Sequence, residues 1–152
     1  MTIEEQVSRL DELILEYDRS IGIPPPTYSD EVTSILNMSI DQLKRSSNEE
    51  IGFKTWMLSQ YNFFVQKEKN KELVRRNWLQ SFFNIEFGRI LDQLKGYGLQ
   101  EKRISAINSN DVLAKVDKLI TKSSLRLDNL YYMNERIDCL VKCLYKIMEI
   151  RK

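Results

Sequence analysis

A row of cations flanked by aromatic rings lies near the middle of the chain. At the roughly 100° turn per residue of an α-helix, Lys67, Lys71 and Arg75 fall on one face. Phe64 precedes them on that face and Trp78 follows them. Cations neutralise the phosphates of a nucleic-acid strand, and flat rings stack on its bases. The candidate nucleic-acid-binding residues in this stretch are therefore Lys67, Lys71, Arg75, Arg76 and Trp78.

A second basic row lies near the start of the last predicted helix. Its members, which fall within about 80° of one another on the helix, are Lys115, Lys118, Lys122 and Arg126. An alternative interpretation applies to both rows. Charge runs on helices are usually solvated faces, stabilised by pairs four residues apart such as Glu72 with Arg76.

The charges are unevenly distributed along the chain. Residues 1–50 carry 4 basic and 11 acidic side chains, whereas residues 51–152 carry 19 basic and 11 acidic ones, although the whole chain is only +1. A basic body behind an acidic segment can bind an anionic partner. The acidic segment can also dock on the basic part of the same chain or of a neighbouring one.

The first basic row requires a long helix to position it. The stretch from Ile51 to Leu94 lacks proline and repeats apolar residues at helical spacing, with both of its ends apolar over a wide arc. Ser47 and Glu50 form a capping box before it, and Gly96-Tyr97-Gly98 ends it. A helix of this length needs packing partners, either in the same chain or in another.

The second basic row lies on a helix with a heptad seam. From Leu113 to Met148 the apolar positions alternate three and four residues apart, with Asn134 as a polar seam residue that would fix the register. Five heptads expose more apolar surface than one chain of this size readily covers, so we expect self-association. The predicted oligomerisation residues are Leu113, Val116, Ile120, Leu127, Leu130, Ile137, Val141 and Leu144.

These elements predict an all-α fold: an elongated helical bundle with two long helices and a C-terminal, coiled-coil-like heptad helix. A capping box at Thr2 and Glu5 begins an amphipathic helix that Gly22 ends. The apolar residues of this helix follow the four-and-three spacing of a heptad seam, at Ile3, Val7, Leu10, Ile14, Tyr17 and Ile21. The predicted organisation is an acidic amphipathic helix at 1–22, a Pro-rich linker at 23–28 and a helical bundle at 29–152. Within that bundle the long helix spans about 48–95 and the terminal helix about 110–151.

Several classes of site are excluded by the residues present. The chain has no histidine and no Gly-rich phosphate loop, so we expect no enzyme, cofactor, metal or small-molecule substrate. Cys139 and Cys143 are predicted to be buried thiols without a disulfide. No apolar run reaches the length of a membrane span, and the first residues lack a signal pattern. We expect a cytoplasmic protein, encoded either by a cell or by a virus.

One family resemblance rests on Phe53-Lys-Thr-Trp-Met-Leu-Ser-Gln-Tyr61, Leu73-Val-Arg-Arg-Asn-Trp-Leu79 and the heptad helix opened by Asp111-Val112-Leu113. These segments resemble the UvsY-like recombination mediators of tailed phages. The resemblance implies a small, all-helical, oligomeric protein that binds single-stranded DNA. It also implies that the protein helps a recombinase replace the single-strand-binding protein on that DNA, with Arg75, Arg76 and Trp78 in the comparable place.

Two functions are consistent with these patterns. The first is a non-enzymatic accessory protein of recombination or replication that oligomerises, binds single-stranded DNA and helps load a recombinase. The second is a helical structural or adaptor protein that oligomerises and holds protein partners without nucleic acid. Only the first requires the basic rows to be exposed on one continuous surface.

Overall fold

The computed structural model describes residues 1–22 and 29–152, and within these residues it is helical without any strand. The helices are α1 (Ile3–Ile21), α2 (Ser29–Leu36), α3 (Ile40–Arg45), α4 (Asn48–Ile90), α5 (Leu99–Ser109) and α6 (Asp111–Ile150), with a short 3-10 helix at Leu91–Gln93. The predicted all-α fold with two long helices is confirmed. The predicted Pro-rich linker, 23–28, lies outside the described residues.

The helix ends follow the predicted capping chemistry. Ser47 and Glu50 satisfy each other's backbone N–H groups at the start of α4, with N···O distances of 2.6 and 3.1 Å. Thr2 and Glu5 form the same reciprocal arrangement at α1. Gly22 ends α1 with a φ of 69°, in the left-handed region that glycine tolerates. Local sequence therefore sets where these helices begin and end.

The chain divides into two compact units. Unit 1 contains Met1–Gly22 and Asn70–Leu127, and unit 2 contains Ile23–Lys69 and Asp128–Lys152. The sequence assigned 29–152 to one bundle, whereas these units group the residues differently. Each unit takes part of α4 and part of α6, so the two long helices pack against each other within one chain.

Unit 1 has a core formed by α4, α5, α6 and the first turn of α1. Its buried members are Ile3, Leu79, Phe83, Ala106, Leu113 and Val116. The Arg103 guanidinium lies 4.3 Å from the centre of the Phe83 ring and pairs with Asp117 at 3.1 Å. These contacts fix α5 against both long helices.

Unit 2 has a core to which α2 and α3 contribute. Its buried members are Val32, Ile35, Leu43, Ile51, Met57, Leu58, Val65, Ile137 and Leu144. Arg151 donates to the backbone carbonyl of Ser46 at 2.8 Å, and Arg136 donates to that of Leu36 at 2.8 Å. The short helices are thus held by apolar burial and by hydrogen bonds from α6 and from the residue that follows it.

The prediction of buried cysteines is wrong, because Cys139 and Cys143 are exposed free thiols. Both lie on the side of α6 away from the seam that packs on α4. The apolar pattern of the sequence did not separate this exposed side of the helix from the buried one. In the part of the chain that the structure describes, no helix has the length and apolar character of a membrane span.

Candidate functional site

The cations of the first basic row that belong to unit 1 are paired with carboxylates of α1. Lys71 Nζ lies 2.9 Å from Asp18 Oδ2. The Arg75 Nε group donates to Asp11 Oδ1 at 2.8 Å. The sequence left three partners open for these cations, namely water, the acidic segment or a ligand, and the structure places the acidic segment there.

A third pair of the same kind joins α1 to the second basic row. Lys115 Nζ lies 2.8 Å from Glu4 Oε1. The hydrogen bond from Lys115 lowers the pKa of Glu4, and the same bond raises the pKa of Lys115. Two members of the first basic row, Lys71 and Arg75, and one member of the second, Lys115, are therefore paired with carboxylates of α1 in unit 1.

The three carboxylates repeat every seven residues along α1, at Glu4, Asp11 and Asp18. Seven residues bring a helix back to nearly the same angle, so the three side chains form one line beside the apolar seam of α1. Sequence reasoning used that repeat for the seam and missed it for the acids. Charged residues commonly flank a heptad seam, and this position could have identified the three carboxylates as pairing groups.

Glu72 is the most buried charged group at this site, with 4% of its surface exposed. Its Oε1 accepts a hydrogen bond of 2.6 Å from the Ser123 hydroxyl of α6. Its Oε2 lies 3.1 Å from Arg75 Nη1 and 3.5 Å from Arg126 Nε. Glu72 thus pairs with one arginine of each predicted basic row, Arg75 and Arg126. The sequence did not predict this role.

Trp78 has covering side chains on α4 and α1. It stacks on Phe82 with 5.6 Å between ring centres and 23° between ring planes. It also lines a shallow cavity of about 230 Å³ with Leu10 and Leu13 of α1. The half-buried indole therefore receives apolar contacts from α4 and α1 and does not need a stacked nucleic-acid base to supply them.

The remaining predicted nucleic-acid-binding residues are dispersed. Lys118 and Lys122 are exposed on α6, whereas Arg76 is half-buried and its Nε atom has no hydrogen-bond partner among the described residues. Lys67 belongs to unit 2. The structure therefore brings together Lys71, Arg75, Lys115 and Arg126, the four cations that surround the acids of α1 and Glu72.

Charge complementarity extends over the whole of unit 1. Residues 70–127 carry 11 basic and 6 acidic side chains, for a net charge of +5, whereas residues 1–22 carry 2 basic and 6 acidic ones, for a net charge of −4. The docked α1 nearly neutralises the surface on which it lies. We call this surface, which is defined by Lys71, Arg75, Trp78 and Lys115, the α1-binding face.

The predicted oligomerisation residues pack inside the chain. Leu113, Val116, Ile137 and Leu144 are fully buried in the two cores. Partly buried at their edges are Ile120 in unit 1 and Leu130 and Val141 in unit 2, and Leu127 is also half-buried. The premise of an uncovered seam is wrong, because α4 covers it. Self-association stays a prediction, but other residues would have to carry it.

An exposed aromatic surface lies on α4 in unit 2. Phe53, Trp56 and Phe63 are 55%, 47% and 72% exposed, and they fall within about 80° on the helix. Phe53 and Trp56 stack with ring centres 6.0 Å apart. We call these three residues the aromatic face. The sequence predicted a buried arc at this end of α4 and did not separate Phe53 from its buried neighbour Met57.

Beside the aromatic face, a polar-floored groove of about 280 Å³ runs between α4 and α6. Asn134, the predicted polar seam residue, donates to Asn62 Oδ1 at 2.6 Å. The Asn62 amide in turn donates to Asp138 Oδ1 at 2.8 Å. Phe63 forms part of the groove wall. The chain of amides gives α4 and α6 a specific register in unit 2.

Metal-binding groups and known relatives do not add to this description. No group of three or more acidic or cysteine side chains arranged to hold a metal occurs in residues 1–22 and 29–152. No protein-family model matches the chain, and searches of curated proteins and of solved structures likewise gave no match.

Proposed function

We propose that the protein is a non-enzymatic helical adaptor that self-associates and holds protein partners through the aromatic face. The observation that carries this proposal is the exposure of Phe53, Trp56 and Phe63 at 55%, 47% and 72%. Large aromatic side chains are enriched at protein interfaces, and a contiguous exposed group of them marks an interaction site.

The contrast with the cations favours an adaptor over a nucleic-acid-binding protein. Lys71, Arg75 and Lys115 already have carboxylate partners in the chain. Phe53, Trp56 and Phe63, by contrast, keep about half or more of their surface exposed on α4. Covering an exposed apolar surface with a protein partner contributes more binding free energy than adding a phosphate to cations that carboxylates already neutralise.

Self-association through the aromatic face can be tested by sedimentation velocity. The variant with Phe53→Ser and Phe63→Ser should sediment more slowly than the unchanged chain at the same concentration, while its circular dichroism remains helical. Ile85→Ser is the matched control, because Ile85 is an equally exposed apolar residue (58%) elsewhere on α4. A monomeric unchanged chain at every concentration would overturn self-association through this face.

A second candidate function is the single-stranded-DNA-binding accessory of recombination, acting in the cytoplasm with a recombinase and a single-strand-binding protein. The observation that favours it is the net charge of +5 on residues 70–127. Lys118 and Lys122 extend the α1-binding face along α6 and are exposed. Exposed cations beside a basic surface are what a flexible phosphate backbone requires.

Binding of a labelled oligo-dT strand at several salt concentrations tests the second function. If Lys118 and Lys122 contact phosphates, replacing both with Ala lowers the slope of log affinity against log salt by about 1.4, at roughly 0.7 per phosphate for a single strand. Lys142→Ala with Lys146→Ala is the matched control, because these exposed lysines have the same spacing on α6 but lie in unit 2. Equal losses in both variants would indicate non-specific attraction.

A further inference from the structure

We propose that the α1-binding face is an exchangeable docking site, and that in a dimer of this protein it holds α1 of a second copy. This interface goes beyond the proposed function, because it uses a different surface from the aromatic face and a different force. Its occupant is an acidic amphipathic helix with carboxylates every seven residues.

Charge complementarity identifies that occupant. Glu4, Asp11 and Asp18 meet three cations that come from both long helices. Residues 1–22 are net −4 and the rest of unit 1 is net +5. An acidic helix with the same seven-residue repeat would make the same three pairs, and α1 of a second copy has that repeat by definition.

Helix α1 is held by fewer buried side chains than a core helix. Ile3 is the one residue of α1 that is buried. The Glu4 carboxylate is 58% exposed in its pair, whereas the Asp11 and Asp18 side chains are 34% and 18% exposed, so the three pairs range from exposed to half-buried. Exposed ion pairs are weak and screened by salt. Leaving this face therefore removes one buried side chain, Ile3, from the core of unit 1, while the other five buried members of that core stay in place.

The second half of α1 leaves apolar side chains in water even when it is docked. Leu13, Tyr17 and Ile21 are 56%, 69% and 47% exposed. Tyr17 and Ile21 belong to the predicted heptad seam of α1, and that seam is the part an additional helix would cover. Docking within one chain therefore satisfies the charges of α1 more completely than its apolar surface.

Exchange between two copies costs little because it replaces each contact with an identical one. A reciprocal exchange remakes both α1-binding faces in the dimer, which is the general basis of domain swapping. The tethered α1 competes through its effective concentration, so exchange becomes favourable as the protein concentration rises.

Complementary charge reversal tests the proposal. One chain carries Glu4→Lys and Asp18→Lys, and the other carries Lys71→Glu and Lys115→Glu. Arg75 is left unchanged because it also pairs with the buried Glu72. Both chains carry Phe53→Ser and Phe63→Ser, so that association through the aromatic face cannot contribute.

In each chain alone, two of the three pairs become repulsive, so α1 is released and the chain sediments as a monomer. When the chains are mixed in equal amounts, each α1 matches the face of the other chain, and a complex of twice the mass of one chain should form. A mixture that stays monomeric, while both chains remain helical, overturns the proposal.

The unchanged pairs are tested in the same Phe53→Ser, Phe63→Ser background. We expect a monomer–dimer equilibrium that shifts to dimer with concentration and back with salt, and a monomer at every concentration would overturn exchange in the native sequence. If the mixture fails to dimerise and oligo-dT binds the chain carrying Glu4→Gln and Asp18→Asn, the face belongs to nucleic acid and the proposal is also overturned. None of these outcomes depends on whether the aromatic face works.

Discussion

The two compact units cover their long helices in different ways. In unit 2 the covering helices α2 and α3 contribute Val32, Ile35 and Leu43, which are 1–4% exposed. In unit 1 the covering helix α1 is more than twice as long as α2 but contributes only Ile3 to the core. Partly buried side chains such as Val7 and three ion pairs hold the rest of it.

The difference separates a permanent cover from a removable one. Burying an aliphatic side chain contributes roughly 1.5–3 kcal/mol and is insensitive to salt screening. A partly exposed ion pair contributes about 0–1 kcal/mol and is screened by salt. Helices α2 and α3 should therefore detach from unit 2 only when it unfolds, whereas α1 should detach from unit 1 under milder conditions.

The largest effect is expected where apolar burial does the holding. Ile35→Ala should lower the free energy of unfolding by about 2–5 kcal/mol, because it leaves a cavity in the core of unit 2. Urea unfolding followed by circular dichroism measures this loss. Ile40→Ala is the control: Ile40 is 58% exposed on α3, and its change should stay within about 0.5 kcal/mol. Equal effects at both positions would mean that α2 is not buried as described.

The next largest effect is expected at Glu72, the buried carboxylate that pairs with Arg75 of the α1-binding face. Glu72→Ala removes the carboxylate acceptor of the Ser123 hydroxyl and one of the two carboxylate partners of Arg75, and it should cost about 1–3 kcal/mol because the arginine can still reach water. Glu72→Gln keeps an acceptor for Ser123 and should cost less.

Unfolding in urea of the two Glu72 variants, compared with Glu86→Gln, isolates this contribution. Glu86 makes the same three-residue pair with Arg89, whose side chain is 68% exposed, so Glu86→Gln should be nearly neutral. A neutral Glu72→Ala would show that the buried carboxylate contributes nothing to stability through either Ser123 of α6 or Arg75 of α4.

Salt should distinguish the two covers directly. Raising the ionic strength to about 1 M shortens the Debye length to roughly 3 Å, so the pairs at Asp11 and Asp18 weaken. Amide hydrogen exchange in α1 should then accelerate several-fold, while exchange in α2 and α3 remains unchanged. Equal acceleration in all three helices would contradict the separation of the covers by the forces that hold them.

The smallest effect is expected from pH, at the exposed end of α1. The Lys115 bond lowers the pKa of Glu4, so this pair helps hold α1 above the ordinary Glu pKa of about 4.3, and its help is lost as the pH falls through the lowered value. The raised pKa of Lys115 has the opposite sign, with its contribution lost at strongly alkaline pH.

Trp78 fluorescence in a Trp56→Phe chain reports this change, because Trp78 lies against Leu10 and Leu13 of α1. The acid midpoint should rise in Lys115→Ala, which removes the cause of the lowered pKa. An unchanged midpoint in that variant would exclude Glu4 as the group that titrates.

The local sequence determined the helices and their ends. The capping box at Ser47 and Glu50, the left-handed Gly22 and the heptad seam of α6 each depend on residues within a few turns of one another. Hydrogen bonds between near neighbours and the 3.6-residue period are properties that the sequence carries without reference to distant residues. The all-α fold could therefore be predicted.

Only the tertiary structure decided which surfaces are available. The seam residues Leu113 and Ile137 carry the same pattern whether α4 of one chain or a second copy covers them. The cations Lys71 and Arg75 carry the same spacing whether they meet Asp18 and Asp11 or a phosphate. Charge and apolarity specify the kind of partner a residue needs, but the identity of that partner depends on contacts between residues more than fifty positions apart in the chain, and those contacts form only when the helices pack.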